Sequence, residues 1–405
     1  MMSINQTEAL KIIESLRMGI PPEDKISLLT VGRISEIARL RQILDKGYPQ
    51  SFLINANYGC GKTHLLKFIR EEALSRGYAV SMITINSNEN ARFNRMDQIF
   101  GHICKNLQIC KNGEKGIREL FNAICDDNNK NRRLNLISKI SNDGNWDKTE
   151  ILKSPSMFIA LRAWKFYNEQ DKSLEETYDT VENWLCDPTN YYNKRSFLYK
   201  NLVYVYEIRR YFYDPRPEWK FYKDCVFDFR PSNYKQCWDA LSDLNLLTKV
   251  AGCKGLVILV DEYEDVIYNL NNKQYQIKAF ENLFNFFSKN VVDLIFFSVT
   301  PNFVYKCKNL LLEKNVFDYD LSKFEKLESF EISPLTSNEI FEYGKRIIEI
   351  YQIAYEVRFN DGIHHWIKKI SEYAERISLD NRVRTAVKEI VSFLDNVYIS
   401  HNSSK

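Results

Sequence analysis

The stretch Ser51-Phe52-Leu53-Ile54-Asn55-Ala56-Asn57-Tyr58-Gly59-Cys60-Gly61-Lys62-Thr63-His64-Leu65-Leu66-Lys67-Phe68-Ile69 decides how the rest of the chain is read. Its apolar period changes midway. Phe52 to Ile54 form a short unbroken run suited to a buried strand, whereas Leu65, Leu66, Phe68 and Ile69 have helical spacing. Between them lies a glycine-rich turn that feeds directly into the helix. Glycine lets a backbone come close to a bound group, and successive amides plus the positive end of a helix make a cradle for an anion. The order of Gly61, Lys62 and Thr63 fits the phosphate loop G-x-x-x-x-G-K-[ST], in which the lysine reaches the β- and γ-phosphates and the hydroxyl ligates magnesium. The expected ligands are therefore ATP and Mg2+, with Ala56, Asn57, Tyr58, Gly59, Cys60, Gly61, Lys62, Thr63 and His64 as the binding set. Ala56 replaces the leading glycine of the pattern. If that position required a positive φ, alanine there would cost about 1 kcal/mol.

Outward from the loop, the next informative run is Val257-Ile258-Leu259-Val260-Asp261-Glu262. A fully apolar strand ending in two acids places a carboxylate at the carboxyl edge of a parallel sheet, where such folds bind ligands. Asp261 is expected to complete the magnesium shell with Thr63. Glu262 is placed to orient or deprotonate an attacking water. Glu264 and Asp265 read as solvated acids at a helix start, with a part in holding the metal as the alternative. Another apolar strand, Ile295 to Val299, leads to Thr300 and Pro301. The Thr300 hydroxyl either contacts the γ-phosphate or its water, or simply caps a strand end stopped by proline.

The pattern divides the chain into 1–47, N-terminal helices leading into the core; 48–110, the first part of the core; 111–250, a helical insertion; 251–332, the second part of the core; and 333–405, a helical lid. Helices are predicted over Gln6–Met18, from near Ser35 to Lys46, around Ile277–Phe287, and over 336–354, 361–376 and 381–397. Strands are predicted at 51–55, 78–85, 255–260, 293–299 and 327–332. The fold class is α/β, with a parallel P-loop sheet, a helical insertion and a C-terminal helical lid.

Composition removes several function classes. The 405 residues are 44% hydrophobic and 27% charged, with no apolar run near the ~18 residues of a membrane span. The N-terminus lacks the basic start and apolar block of a secretory signal, so a cytoplasmic protein is expected. Nine cysteines stand singly with no Cys-x-x-Cys, and the five histidines include only one adjacent pair, His364-His365. That spacing suits neither a disulfide framework nor a zinc site. A net charge of +3 neither demands nor forbids nucleic acid, so any such surface must be local. Residues 191–230 interleave Lys194, Arg195, Arg209, Arg210, Arg216 and Lys220 with Tyr199, Tyr204, Tyr211, Trp219 and Tyr222. Backbone phosphate and exposed bases would suit that mixture, making DNA a candidate partner; a protein partner or an ordinary helical core are the alternatives.

These motifs resemble AAA-related ATPases of the replication-initiator type, and more closely the P-loop ATP-binding proteins of bacterial BREX phage-exclusion systems, the BrxC/BrxD group. The likeness runs through Ala9-Leu10-Lys11-Ile12-Ile13-Glu14-Ser15-Leu16-Arg17, Gly19-Ile20-Pro21-Pro22, Val31-Gly32-Arg33, the loop Tyr58 to His64, Gly255 to Glu262, and Arg384-Thr385-Ala386-Val387-Lys388-Glu389. It implies an ATPase acting with other defence-system proteins, with oligomer formation open. It also implies that Gly32 and Arg33 lie near the adenine and that Arg384 reaches the phosphates from the lid as a second sensor, with Arg382 as its near alternative. No arginine occurs between Thr300 and Arg346, where relatives often place one that acts across a subunit boundary. Lys323 or Lys326 would have to substitute without a planar fork, so slow or partner-dependent hydrolysis is expected.

Overall fold

The strands β1 (Gln50–Asn55), β2 (Ala79–Thr84), β4 (Leu256–Asp261), β5 (Leu294–Val299) and β6 (Glu328–Glu331) form where the apolar runs predict them. A two-residue β3 (Leu107–Gln108) escapes prediction because it is too short to carry a period. In the computed structural model, which describes residues 4–85, 91–125, 152–170, 174–186, 226–264, 272–313 and 325–402 with a few single positions between them, the six strands make one sheet. Its order is β3-β2-β4-β5-β1-β6, and every pairing is parallel except β2 with β3.

β4 and β5 are buried at every position, which is why they read as unbroken apolar runs rather than alternations. Both sheet faces are covered. Phe52, Ile54, Val257, Leu259, Leu294 and Phe296 point to one side, where α2 (Ile34–Lys46) and α3 (Lys62–Ser75) pack. Leu53, Ile258, Val260, Ile295 and Phe297 point to the other. There they join α4 (Met96–Lys105), α5 (Ile117–Cys125), α6 (Pro155–Gln170), α7 (Leu174–Cys186), α8 (Pro231–Val250), α9 (Lys273–Lys289) and α10 (Phe303–Glu313). The described parts of the stretch 111–250 are mostly helical, and Trp164 and Trp184 bury their rings in a core continuous with the sheet.

A separate apolar cluster joins α1 (Gln6–Arg17) to α11 (Ser337–Tyr355), α12 (Gly362–Ala374) and α13 (Arg382–Asn402). Capping boxes at Asn5/Glu8 and Thr336/Glu339 start α1 and α11 by satisfying orphan amides at each end reciprocally. The first helix therefore packs with the last three, while α2 alone of the N-terminal pair lies on the sheet. Arg17 clamps this arrangement, forking onto both oxygens of Asp395 at 3.0 and 2.8 Å and reaching the Tyr355 hydroxyl at 3.0 Å. The Tyr351 hydroxyl donates to the same carboxylate at 2.7 Å.

Most of the aromatic and basic segment 191–230, together with Lys323 and Asp265, lies outside the described residues. Among the described residues no group of His, Cys, Asp or Glu could hold a metal as a cluster, the cysteines are free, and no helix is long and apolar enough to cross a membrane.

Candidate functional site

Sheet order brings the chemistry together. β5 lies between β1 and β4, with Ile54 opposite Ser298 and Val260 opposite Phe297, so the carboxyl ends of the three strands sit side by side. The loop leaving β1 therefore faces Asp261 at the end of β4. Thr63 Oγ1 donates to Asp261 Oδ2 at 2.7 Å, the pairing expected of a shared magnesium site. Ser298 Oγ donates to the other oxygen, Oδ1, at 2.6 Å and accepts from the Glu262 amide at 3.0 Å. Ser298 was legible as a lone hydroxyl inside the apolar run Ile295–Val299, but only the sheet order gives it a role.

The loop has the backbone that a phosphate cradle requires. Gly59 and Gly61 take φ values of +74 and +86, whereas Ala56 is absent from the positive-φ residues, so its replacement of glycine carries no strain. A β-carbon at Gly59 would overlap the Asp380 carbonyl, and one at Gly61 would stand 3.3 Å from the Arg33 guanidinium. Gly61 begins α3 without any side-chain cap. The first amides of that helix, Gly61 to His64, find no protein acceptor among the described residues, leaving them with the positive end of the helix dipole to receive an anion. Asn57 closes the turn, its carbonyl accepting from the Cys60 amide at 3.3 Å.

Lys62 is buried, at 8% exposure, and its ammonium is fully engaged. It donates to Glu264 Oε1 at 2.6 Å and to the Ala56 carbonyl at 3.2 Å, and lies 4.7 Å from the centroid of the Tyr58 ring. Glu264 corrects the sequence reading: far from being solvated, it is 1% exposed. The reason is the turn after β4. Glu262 adopts a left-handed φ of 55, and Tyr263 is fixed edge-on against Phe93, Phe297 and Phe303, which draws the next residue inward onto the loop that follows β1. Glu262 itself is exposed, with its amide held by both Asp261 Oδ1 and Ser298 Oγ at 3.0 Å. A non-glycine residue held left-handed beside a ligand cavity is the kind of stored strain that functional sites retain.

These groups line a cavity of about 470 Å³, the size of a small-ligand site. Its polar end is formed by Gly59 to His64, Asp261, Glu262 and Glu264, and its apolar end by Leu16, Ile20, Leu29, Leu335, Tyr343 and Val387. Arg384 lines it from α13 and, among the described residues, forms no ion pair; Arg382 turns away and donates to the Glu375 carbonyl at 3.1 Å. Arg33 also lines it, donating to the Cys60 carbonyl, while its Nη1 is buried without a partner. Burial pushes the Arg33 pKa down, opposed by Glu36 and Glu339. Gly32, at φ +64, is pressed against the Glu339 carboxylate and is not among the lining residues. Thr300 is not among them either; it is buried beyond β5, and its carbonyl accepts from Phe303 at 3.1 Å. His64 bonds Thr30 Oγ1 at 3.0 Å, and burial with the nearby cations Arg33 and Lys67 lowers its pKa to about 3, so its ring is neutral. Burial raises the Cys60 thiol pKa, leaving it an inert wall of the loop.

A family model described as BREX system ATP-binding protein BrxC/D matches residues 4–128 and 233–404. The unmatched interval falls within the stretch 111–250, and both matched pieces are needed to build the cavity. No curated protein and no solved structure matches the chain.

Proposed function

The chain belongs to the BREX system ATP-binding protein BrxC/D family, and from that premise we propose that it binds ATP with magnesium in the cavity at the carboxyl ends of β1, β4 and β5 and hydrolyses it slowly, as an AAA-type ATPase. The observation that carries this reading is the meeting of Lys62, Thr63 and Asp261 at an uncapped helix start, from elements about 200 residues apart in sequence. The donor set suits the ligand: amides and an ammonium for phosphate oxygens, a hydroxyl and a carboxylate for a hard divalent cation.

In this reading the amides of Gly61 to His64 hold the phosphates, and Lys62 adds the mobile charge. Thr63 and Asp261 hold the metal, with Ser298 fixing the carboxylate orientation. Bound magnesium would neutralise charge developing on the transferred phosphoryl group. Glu262 orients and deprotonates the water, its backbone locked by Asp261 and Ser298. The helices α11 to α13 act as a lid, presenting Arg384 to the phosphates, while Leu16, Ile20 and Val387 accept the base.

Slow turnover follows from the missing arginine. Arg346, the first after Thr300, is committed to the Leu28 and Thr30 carbonyls at 3.1 and 2.7 Å, so a transition-state arginine would have to come from a partner. The nucleotide state would then control assembly with other defence-system proteins or with DNA, in the cytoplasm. The test measures ATP binding and turnover for the wild type, Lys62→Ala and Glu262→Gln. Binding should vanish in the first variant and survive in the second, whose turnover should fall about 10²–10⁴-fold, the usual contribution of a general base. Equal turnover in Glu262→Gln and wild type would leave a nucleotide-dependent scaffold as the reading.

A further inference from the structure

Lys62, which the proposed function assigns to the phosphates, already has an anion of its own. Glu264 Oε1 stands 2.6 Å from the ammonium, and both side chains are buried. Among the described residues the carboxylate is poorly served by everything else: Oε2 is buried with no hydrogen-bond partner there, and Lys62 is the group that compensates the charge. The other directions of the ammonium are taken by the Ala56 carbonyl and the Tyr58 ring. Glu264 also lines the cavity, so an anion drawn to Lys62 comes within range of its charge.

We infer that Glu264 is a competing counter-ion for Lys62, a positioning residue that holds the lysine on the loop and weakens the site for triphosphate in proportion to the negative charge of the ligand. An anion arriving at Lys62 has two options. Either the Glu264 carboxylate gives up its buried ammonium partner and must be re-solvated, or it stays and repels the ligand across a few ångströms of low-dielectric surroundings. Both cost binding free energy, and both costs grow with ligand charge. Neither acts on the adenosine portion, which meets the apolar end of the cavity. The inference rests on the nucleotide reading above and adds to it a residue that tunes affinity against binding.

The experiment compares wild type, Glu264→Gln and Glu264→Asp for binding of ATP, ADP and adenosine with magnesium, by isothermal titration calorimetry. Glutamine keeps the shape and can still accept from Lys62 but removes the charge. It should tighten ATP about tenfold, equivalent to about 1.4 kcal/mol, ADP by less, and adenosine not at all. Glu264→Asp keeps the charge and should stay within about threefold of wild type, well under 1 kcal/mol. Glu264→Asn is the second neutral variant should glutamine impair folding, since its shorter amide still offers Lys62 an oxygen without charge, and it should tighten ATP in the same order. A purely structural Glu264 would give weaker ATP binding in both neutral variants, and that result overturns the inference. So does tightening of adenosine equal to that of ATP, which would mean general loosening of the cavity. If folded wild type takes up no ATP, the nucleotide reading itself falls and this inference with it, a result distinct from either of the others.

Discussion

Replacing Lys62 with methionine should do more than remove a phosphate ligand: it should destabilise the protein before any nucleotide is added. The ammonium gives up its 2.6 Å contact with Glu264 and its 3.2 Å contact with the Ala56 carbonyl, and a carboxylate only 1% exposed is left without a partner among the described residues on either oxygen. Breaking a buried pair from one side costs roughly 3–5 kcal/mol, because the surviving charge is uncompensated. Methionine preserves most of the buried stem, so little packing is lost. The cavity admits some water to the stranded carboxylate, which puts the expected loss at the lower end, about 3 kcal/mol. Removing both charges, as Lys62→Met with Glu264→Met, should recover most of it, since a buried pair replaced by apolar groups is often neutral. The assay is a double-mutant cycle on urea midpoints followed by far-ultraviolet circular dichroism, with the coupling energy rather than any single ΔG as the result, because a chain with several apolar cores need not unfold in one step. A single variant within about 0.5 kcal/mol of wild type, or a double variant that merely adds the two losses, would show that the pair does not form in solution. The outcome matters in practice: a phosphate-loop lysine variant that loses ATP binding here must first be shown to be folded.

Two further outcomes follow from the geometry. Gly59→Ala must adopt a φ of +74 and overlap the Asp380 carbonyl, whereas Gly77→Ala, at φ +81, meets nothing within 4 Å. Both should lose about 1 kcal/mol to backbone strain, but only Gly59→Ala should push the loop after β1 away from Asp380 and, on the proposed nucleotide site, lose ATP affinity in addition; equal behaviour of the two in melting and binding would contradict the contact. His64 has its pKa lowered to about 3 by burial and by Arg33 and Lys67, below its ordinary 6.5, so the unfolded chain binds the extra proton between those values. Its contribution to stability is therefore complete above about pH 6.5 and is lost as pH falls toward 3. The difference between wild type and His64→Asn in melting temperature should narrow as pH drops from 7 to 5, and a pH-independent difference would refute a neutral buried ring.

Local patterns were enough to identify five of the six strands and the terminal helices and to single out the loop after β1, because each is specified by residues within a few positions of one another: an unbroken apolar run, a 3.6-residue period, a glycine pair before a lysine. Thr63 and Asp261 could likewise be named as partners, since both sit at positions where the fold class places ligands. The fate of Glu264 was not legible. Nothing in Asp261-Glu262-Tyr263-Glu264 separates a solvated acid from a buried one; the left-handed Glu262 and the aromatic packing of Tyr263 make the difference, and both depend on Phe93 and Phe303 from distant parts of the chain. Ser298 acquires its hold on Asp261 only because β5 inserts between β1 and β4. The same holds for α1, which joins the C-terminal helices through Arg17 and Asp395, 378 positions apart. Sequence alone determined most of the strand and helix segments and singled out the Gly59–Lys62 loop that joins β1 to α3, since those depend on backbone preference and side-chain period. Which carboxylate neutralises the lysine, and which helices line the cavity, were decided by tertiary contacts, because charge burial and strand order are properties of neighbours in space rather than in the chain.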